Sequence, residues 1–364
     1  MNCLMQWEAW RSRGFTERSS ASTCRRRRAI MRALRIAALC TLLAGGNALA
    51  QSAADAPDFP TAPRPPSGDA FPERMVEFPD GIVAIGDVTY DTQVGFRPLA
   101  LDIYHDPAAT EPKPVILYIH GGGWERSHKR AAGVFTDFPG VLASFASRGF
   151  VVASAEYRLS GEAPFPAALH DVKAAIRFLR DNADKYGIDP ERFGIWGSSA
   201  GGHLASLAAV SCDQQSLDVF STAKPETSTC VDAAAIWYGI FDFSTMGPVP
   251  EQSLAGDSRS RFLGCNPGYC TNYVVASASP VSFVDDKSPP FLLAHGTEDK
   301  VVPISQSREF EEKLKGAGVD VQTLYVEGVD HSFVAPDEAL ARSSALTAAN
   351  RTFEFFVERL NPSQ

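Results

Sequence analysis

From about residue 82 onwards, short apolar runs alternate along the chain with longer amphipathic segments. Some runs are apolar at almost every position, as at 114–119, which is typical of a strand buried on both faces. Residues 167–185 instead repeat apolar side chains at helical spacing, and Gly187 follows as a helix-stop signal. The pattern predicts eight strands at 82–89, 99–104, 115–119, 150–155, 193–197, 233–238, 291–294 and 321–326.

Strands and helices that alternate in this way predict the α/β class, with a mostly parallel eight-stranded sheet flanked by helices. The first two strands are close enough in sequence to form an antiparallel, hairpin-like start. Two segments, 212–230 and 243–288, show no clear period and are expected to be small surface insertions, where binding loops tend to lie. Further helices are predicted at 304–315, 338–348 and 350–360.

The first fifty residues have a different pattern from the rest. Met31 opens a basic segment, which is followed by an apolar stretch at 36–43 and an Ala-Leu-Ala ending at 48–50. That order predicts a secretory signal peptide at 31–50, with cleavage after Ala50. The apolar stretch is too short to span a bilayer, which needs about 20 residues. A disordered basic arm and an organelle transit peptide are the alternative interpretations.

The predicted organisation is a leader at 1–50, a proline-rich linker at 51–80 and one folded domain at 81–364. The signal peptide implies a periplasmic or secreted location. Without residues 1–50, which carry nine Arg and two Glu, the net charge changes from −9 to −16. A surface this acidic repels nucleic acid and anionic lipid, so we expect neither as a partner.

Four cysteines remain after the leader, namely Cys212, Cys230, Cys265 and Cys270. Four cysteines allow three pairings, and short loops favour Cys212–Cys230 and Cys265–Cys270. Disulfides are expected in an oxidising compartment. The alternatives are four free thiols or a zinc site, and no histidine lies at ligand spacing from either pair.

One candidate for chemistry is the segment Gly197–Gly201, which reads Gly-Ser-Ser-Ala-Gly between a predicted strand and an apolar helix. A nucleophile at such a junction needs a sharp turn with small residues two positions on either side. The helix N-terminus then directs amide donors and a positive dipole at the reacting centre. This context identifies Ser199 as the candidate nucleophile.

A second candidate is His120-Gly121-Gly122-Gly123-Trp124, which follows the strand at 115–119. Three consecutive glycines let backbone N–H groups converge on an oxyanion without obstruction by side chains. The position of this motif, upstream of the Ser199 turn, is where an oxyanion loop is expected.

The base and acid partners of Ser199 follow from their order in the chain, which should be serine, acid, histidine. His331 lies in a loop after the last predicted strand and is the predicted base. Asp299 is the predicted acid, and Glu298 is the alternative. His203 lies one helical turn after Ser199 and is expected to pack rather than to act as the base.

Together these segments resemble the α/β-hydrolase superfamily, especially its hormone-sensitive-lipase-like and carbohydrate-esterase-like serine hydrolases. The resemblance covers about 97–335 and implies an α/β-hydrolase fold with Ser199, Asp299 and His331 as the triad. It also implies oxyanion donors at the N–H groups of Gly122, Gly123 and Ala200, and no metal or organic cofactor. The motifs that carry it are His120–Trp124, Tyr157–Leu159, Phe165–Ala168, Gly197–His203, His295–Asp299 and Asp330–Phe333. Glu156 departs from the family, where many members have Asp, and we expect this to affect loop support more than chemistry.

The function that we predict is hydrolysis of carboxylic esters with short-acyl or feruloyl groups, including esters attached to carbohydrate. A serine peptidase of the prolyl-oligopeptidase type and a non-catalytic binding protein on the same scaffold are the alternatives. Trp124, Trp237 and Tyr238 are the predicted substrate-pocket residues, since aromatic walls with few charges suit such esters. A core position is an equally good interpretation of Trp237.

Overall fold

The structure is a computed structural model that describes residues 74–360 apart from 213, 219–225, 248–256 and 267–268. The predicted leader at 1–50, with its signal peptide, and most of the predicted linker lie outside the described residues.

A nine-stranded sheet forms the centre of the fold, in the order β1-β2-β3-β5-β4-β6-β7-β8-β9. The first three strands pair antiparallel, β3 pairs antiparallel with β5, and all later pairs are parallel. This confirms the mostly parallel sheet with an antiparallel start. The strands are β1 Arg74–Glu77, β2 Val83–Asp91, β3 Leu99–His105, β4 Lys113–Ile119, β5 Val151–Ala155, β6 Ile188–Ser198, β7 Ala233–Trp237, β8 Phe291–Gly296 and β9 Val321–Val326.

The predicted number of strands was one too few, because β1 falls in the stretch predicted as linker. All four residues of β1 are exposed, and the strand pairs only with β2 at the edge of the sheet. An edge strand that buries no side chain gives no apolar pattern, so the sequence carries no signal for it.

Eight α-helices are present in the part of the chain that the structure describes. The helix predicted at 167–185 is two helices that meet at Asn182, whereas the two predicted at 338–348 and 350–360 form one continuous helix. Their bounds are α1 Phe138–Ala146, α2 Ala167–Asp181, α3 Ala183–Tyr186, α4 Ala200–Val210, α5 Ser258–Leu263, α6 Asn272–Ala278, α7 Ser305–Gly316 and α8 Glu338–Leu360. No described helix is both long enough and apolar enough to cross a bilayer.

Apolar side chains cover both faces of the sheet. Along β4, Val115, Leu117 and Ile119 pack into the cluster that also contains α2 and α4 side chains. Ile116 and Tyr118 point into a second cluster with side chains of α1 and α8. Burial on both faces explains why this run is apolar at consecutive positions.

The two predicted insertions each carry one disulfide. Cys212 pairs with Cys230 at an S–S distance of 2.11 Å, and Cys265 pairs with Cys270 at 2.08 Å. These are the pairings that the spacing favours. The second disulfide follows α5 directly and precedes α6.

Candidate active site

Ser199 sits on a sharp turn between the end of β6 and the start of α4. Its backbone has φ 54° and ψ −122°, a strained conformation for a residue with a side chain. A Cβ on Gly197 would lie 2.3 Å from the carbonyl oxygen of Gly201, and a Cβ on Gly201 would lie 2.1 Å from that of Ile119. The two glycines are therefore required for the turn to pass closely between strand and helix.

The three predicted triad side chains form one hydrogen-bonded chain. His331 Nε2 lies 2.9 Å from Ser199 Oγ, and His331 Nδ1 lies 2.7 Å from Asp299 Oδ2. Asp299 follows β8, and His331 lies in a short turn after β9. Because both strands are parallel to β6, their carboxyl ends bring the three loops to one edge of the sheet.

The Asp299 carboxylate is fully buried and has four donors. The N–H groups of Val301 and Val302 each donate to Oδ1 at 2.8 Å, and His295 Nε2 lies 3.1 Å from Oδ2, the oxygen that also faces His331. Burial favours the neutral acid, but the hydrogen bonds from His295, His331 and Val302 outweigh it and hold the pKa of Asp299 well below its ordinary value. Asp299 is therefore ionised at neutral pH.

His295 was not predicted to support the acid, although it lies in a motif that the resemblance uses. It is fully buried, and its Nδ1 contacts Ser307 Oγ at 2.7 Å. Its spacing of four residues before Asp299 is the sequence signal that was available.

Glu298, the alternative acid, is exposed, and among the described residues its side chain has no hydrogen bond to either histidine.

His203 is buried between Trp124 Nε1, which donates to Nδ1 at 3.2 Å, and the carbonyl oxygen of Ala278, which lies 2.7 Å from Nε2. Burial lowers the pKa of His203 to about 4, so the ring is neutral at pH 7. The structure therefore gives His203 a packing position.

The three predicted oxyanion donors have no acceptor elsewhere in the described part of the chain. The N–H groups of Gly122, Gly123 and Ala200 make no hydrogen bond within it. Gly122 and Gly123 have φ values of 107° and 64°, which glycine tolerates best. Buried amides without partners are rare in native proteins, so these donors are available for a negatively charged oxygen of a ligand.

Buried contacts hold the glycine loop in place. The Tyr157 ring stacks on His120 at 4.4 Å, and its hydroxyl donates to the His120 carbonyl oxygen at 3.0 Å. Glu156, the departure from the family pattern, accepts from Lys129 Nζ at 3.1 Å and from Arg97 Nη1 at 2.7 Å. These ion pairs agree with a role in loop support.

Two cavities meet at Ser199. The larger has a volume of about 680 Å³, and its lining includes the glycine loop, Tyr238 and His331. The smaller has a volume of about 320 Å³, and its lining includes Trp124 and Ala200. Both volumes lie in the range of small-molecule sites. Two of the three predicted pocket residues, Trp124 and Tyr238, thus border the site.

The prediction of Trp237 as a pocket residue was wrong. Its side chain is fully buried in the α8 face of the sheet, where its Nε1 donates to Thr352 Oγ1 at 2.9 Å. Trp237 is the last residue of β7, whereas Tyr238 follows the strand with a φ of 38° and packs in the same cluster at the cavity edge. Neither cavity includes Trp237 among its described lining residues.

Within residues 74–360, the gaps excepted, no group of three or more His, Cys, Asp or Glu side chains is arranged to hold a metal ion. The hydrogen bonds of Ser199, His331 and Asp299 support the chemistry of an activated hydroxyl beside free amide donors.

Several known esterases are similar to this chain in sequence or in structure. Esterase LipQ of Mycobacterium tuberculosis (strain ATCC 25618 / H37Rv) is 36% identical over 231 residues, which are 62% of this chain and 51% of LipQ. A structure described as a truncated form of a carbohydrate esterase from gut microbiota is 28% identical at a TM-score of 0.66, covering 78% of this chain and 98% of that one. The structure of Thermogutta terrifontis esterase 2 phosphorylated by paraoxon is 27% identical at a TM-score of 0.58, covering 74% of this chain and 92% of that one.

This chain spans about half the length of the curated relatives that it matches first. The family model described as BD-FAE matches residues 101–314, which run from β3 to α7 and contain the glycine loop, the Ser199 turn and Asp299. Because that match covers more than half of the chain and the sheet has the α/β-hydrolase arrangement, the chain belongs to the BD-FAE family of α/β-hydrolases.

Proposed function

We propose that this protein is a serine carboxylesterase in which Ser199 is the nucleophile, His331 the general base and Asp299 the orienting acid. The observation that carries the proposal is the unbroken hydrogen-bonded chain from Ser199 Oγ through His331 to Asp299. Relatives named as esterases in sequence and in structure support the same activity.

In the proposed mechanism, His331 Nε2 accepts the Ser199 proton as Oγ attacks the ester carbonyl carbon. The N–H groups of Gly122, Gly123 and Ala200 stabilise the tetrahedral oxyanion, where one donor is worth about 10²–10³ in rate. The protonated His331 then gives its proton to the leaving alcohol oxygen as the C–O bond breaks. His331 then deprotonates a water molecule as it attacks the acyl carbonyl carbon, and it returns that proton to Ser199 Oγ as the bond to the acyl group breaks and the acid is released.

The substrates that we propose are short-acyl or feruloyl esters, including esters on carbohydrate. The supporting observations are the two cavities and the likeness to a carbohydrate esterase from gut microbiota. We also propose export by the predicted signal peptide, with which the two disulfides are compatible.

The test is hydrolysis of a matched panel: p-nitrophenyl acetate, butyrate and decanoate, methyl ferulate, acetylated xylan and a proline-linked amide. Ser199→Ala is the inactive variant, and Ser343→Ala, on the exposed face of α8, is the matched control. We expect turnover of acetate or ferulate esters that the control retains and Ser199→Ala loses. Turnover of the amide alone would favour the peptidase, and turnover of no substrate would favour a binding protein.

Covalent labelling gives a second readout. Paraoxon should phosphorylate the wild-type protein once and inactivate it, and mass spectrometry should place the adduct on Ser199. Phosphorylation of Ser198, the neighbouring serine, would contradict the assignment of the nucleophile.

A further inference from the structure

The two cavities differ in which triad residue they contact. They meet at the nucleophile, since the lining residues that they share are Gly123, Ser199, Asp257, Ser258 and Val301. The larger cavity contacts His331, whereas the described lining of the smaller includes Ala200 but not His331. We call the larger cavity the histidine side of Ser199, and the smaller cavity, which borders the start of α4, the helix side.

Proton transfer decides which part of an ester occupies each side. The only group of the triad that can protonate the leaving oxygen is His331 Nε2, so the alcohol must leave on the histidine side. In the proposed mechanism, the carbonyl oxygen of the ester binds the amides of Gly122, Gly123 and Ala200, so the acyl chain must extend past these amides. The acyl chain therefore faces the helix side.

The linings of the two cavities match this division. On the helix side, the lining of the smaller cavity includes the apolar side chains of Trp124, Ile240, Met246 and Val302, together with the charged residues Asp257, Arg259 and Lys300. On the histidine side, the polar residues that line the larger cavity and not the smaller one include Glu125, Arg126, Ser127 and Ser332. The apolar group of side chains in the smaller cavity favours a hydrocarbon or aromatic acyl group, and the polar groups of the larger cavity favour an alcohol with several hydroxyls.

We propose that the smaller cavity binds the acyl group with Met246 as the residue that limits its length, and that the larger binds a polyhydroxylated alcohol with Arg126 as a hydrogen-bond donor to it. This assignment rests on the proposed esterase function and adds the side on which each half of the substrate lies.

Met246 has a fixed backbone and an adaptable side chain. Its carbonyl oxygen accepts from Arg259 Nη1 at 3.4 Å, and the next carbonyl, that of Gly247, accepts from the same atom at 3.0 Å. Its half-buried side chain packs against the core and borders the smaller cavity. A thioether on a flexible stem fills space without a polar preference, so its size sets the room that remains.

Arg126 has a fixed backbone and a side chain that has no partner among the described residues. Its N–H donates to the Gly122 carbonyl at 3.2 Å, and its own carbonyl oxygen occupies the place where a Gly122 Cβ would lie. The exposed guanidinium has no hydrogen bond or ion pair with any described residue. Its five donors are therefore free to bind hydroxyl oxygens beside the glycine loop.

The test crosses an acyl series with an alcohol series in the full-length protein. The acyl series is p-nitrophenyl acetate, butyrate and decanoate, and the alcohol pair is p-nitrophenyl acetate and acetylated xylo-oligosaccharide. The variants are Met246→Ala, Met246→Trp and Arg126→Gln. The controls are Met75→Ala and Arg342→Gln, both exposed positions far along the chain from the cavities.

We expect Met246→Ala to raise the decanoate-to-acetate ratio of kcat/KM about tenfold and Met246→Trp to lower it by a similar factor. Neither should change the alcohol ratio more than the controls do. Arg126→Gln should lower the ratio of oligosaccharide acetate to p-nitrophenyl acetate about tenfold and leave the acyl ratio unchanged.

Effects in the opposite pattern, with Met246 variants changing the alcohol ratio, would overturn the assignment and leave the esterase function intact. Unchanged ratios in all three variants would overturn it as well. If the wild-type protein hydrolysed none of the esters, both the function and the assignment would fail.

Discussion

The strand-end site, formed by Ser199, Asp299, His331 and the loops that carry them, differs in construction from the pocket wall, residues 240–247 and 257–283. In the strand-end site, backbone touches backbone: a Gly201 Cβ has no room beside Ile119, and the Ser199 N–H donates to the Trp237 carbonyl at 2.9 Å. Side chains hold the wall, through the Arg261–Glu125 ion pair and the Cys265–Cys270 disulfide.

The difference indicates how the molecule divides its tasks. Backbone contacts in a buried sheet tolerate almost no change, so they suit the atoms that must be aligned for chemistry. Side-chain contacts at a surface can be altered one at a time with small losses of stability. We expect changes in the strand-end site to abolish turnover and changes in the wall to alter selectivity or stability.

The largest effect should come from the triad itself. Ser199→Ala and His331→Ala should each lower kcat by about 10⁶, and the double variant should lose no more, because the two residues act as one unit. Steady-state kinetics on p-nitrophenyl butyrate, with thermal unfolding to show an intact fold, provides the measurement. Additive losses in the double variant would mean that the two side chains act independently.

Asp299→Asn should lower kcat by about 10⁴, because an amide cannot hold His331 in the required tautomer. Glu298→Gln is the matched control and should retain nearly full activity, since its carboxylate is exposed. The pKa of Asp299 lies well below its ordinary value, so its contribution to stability is present above that value and is lost as pH falls toward the folded pKa. The stability difference between wild type and variant should therefore hold from pH 8 to 5 in urea titrations.

His203 joins the two regions, since it accepts from Trp124 beside the glycine loop and contacts the Ala278 carbonyl in the wall. Burial lowers the pKa values of His203 and His120 to about 4, so the unfolded chain binds more protons between about pH 6.5 and 4. As the pH is lowered through that window, the free energy of unfolding should fall by about 1.4 kcal/mol per pH unit for each histidine.

The check is urea unfolding at a series of pH values for wild type, His203→Gln and the exposed control His128→Gln. Only His203→Gln should show a shallower slope. A slope equal to that of wild type would mean that His203 is already protonated in the folded protein.

The smallest effects should come from the disulfides. From loop entropy in the unfolded chain, we expect the free energy of unfolding to fall by about 3 kcal/mol for Cys212→Ser and by about 2 kcal/mol for Cys265→Ser. The two values differ because the disulfides close loops of 18 and 5 residues. Only Cys265→Ser should also raise KM, since its loop follows α5 of the wall. In reducing buffer the differences from wild type should disappear, and losses that persist there would count against the cross-links.

Features that leave an apolar pattern or a short motif in the sequence could be predicted from it. The parallel strands, the Ser199 turn and the order of the triad residues all follow from apolar runs and short motifs. The position of Trp237 was not predictable, because an aromatic at a strand end can face either side of the sheet. Nor was it predictable that the wall residues Met246 and Ser258 line a cavity with Ser199, since they lie in an insertion without periodicity.

The four donors around Asp299 have a consequence for the path of protons during turnover. Each oxygen of the Asp299 carboxylate accepts two hydrogen bonds from N–H groups, and one of these bonds comes from His331. The carboxylate therefore has no further lone pair that could take the proton from His331. In the proposed mechanism, we therefore expect the proton taken from Ser199 to stay on the imidazole until it is transferred to the leaving oxygen. In mixtures of light and heavy water, the rate of acylation should depend linearly on the deuterium fraction, as it does when one proton is in flight.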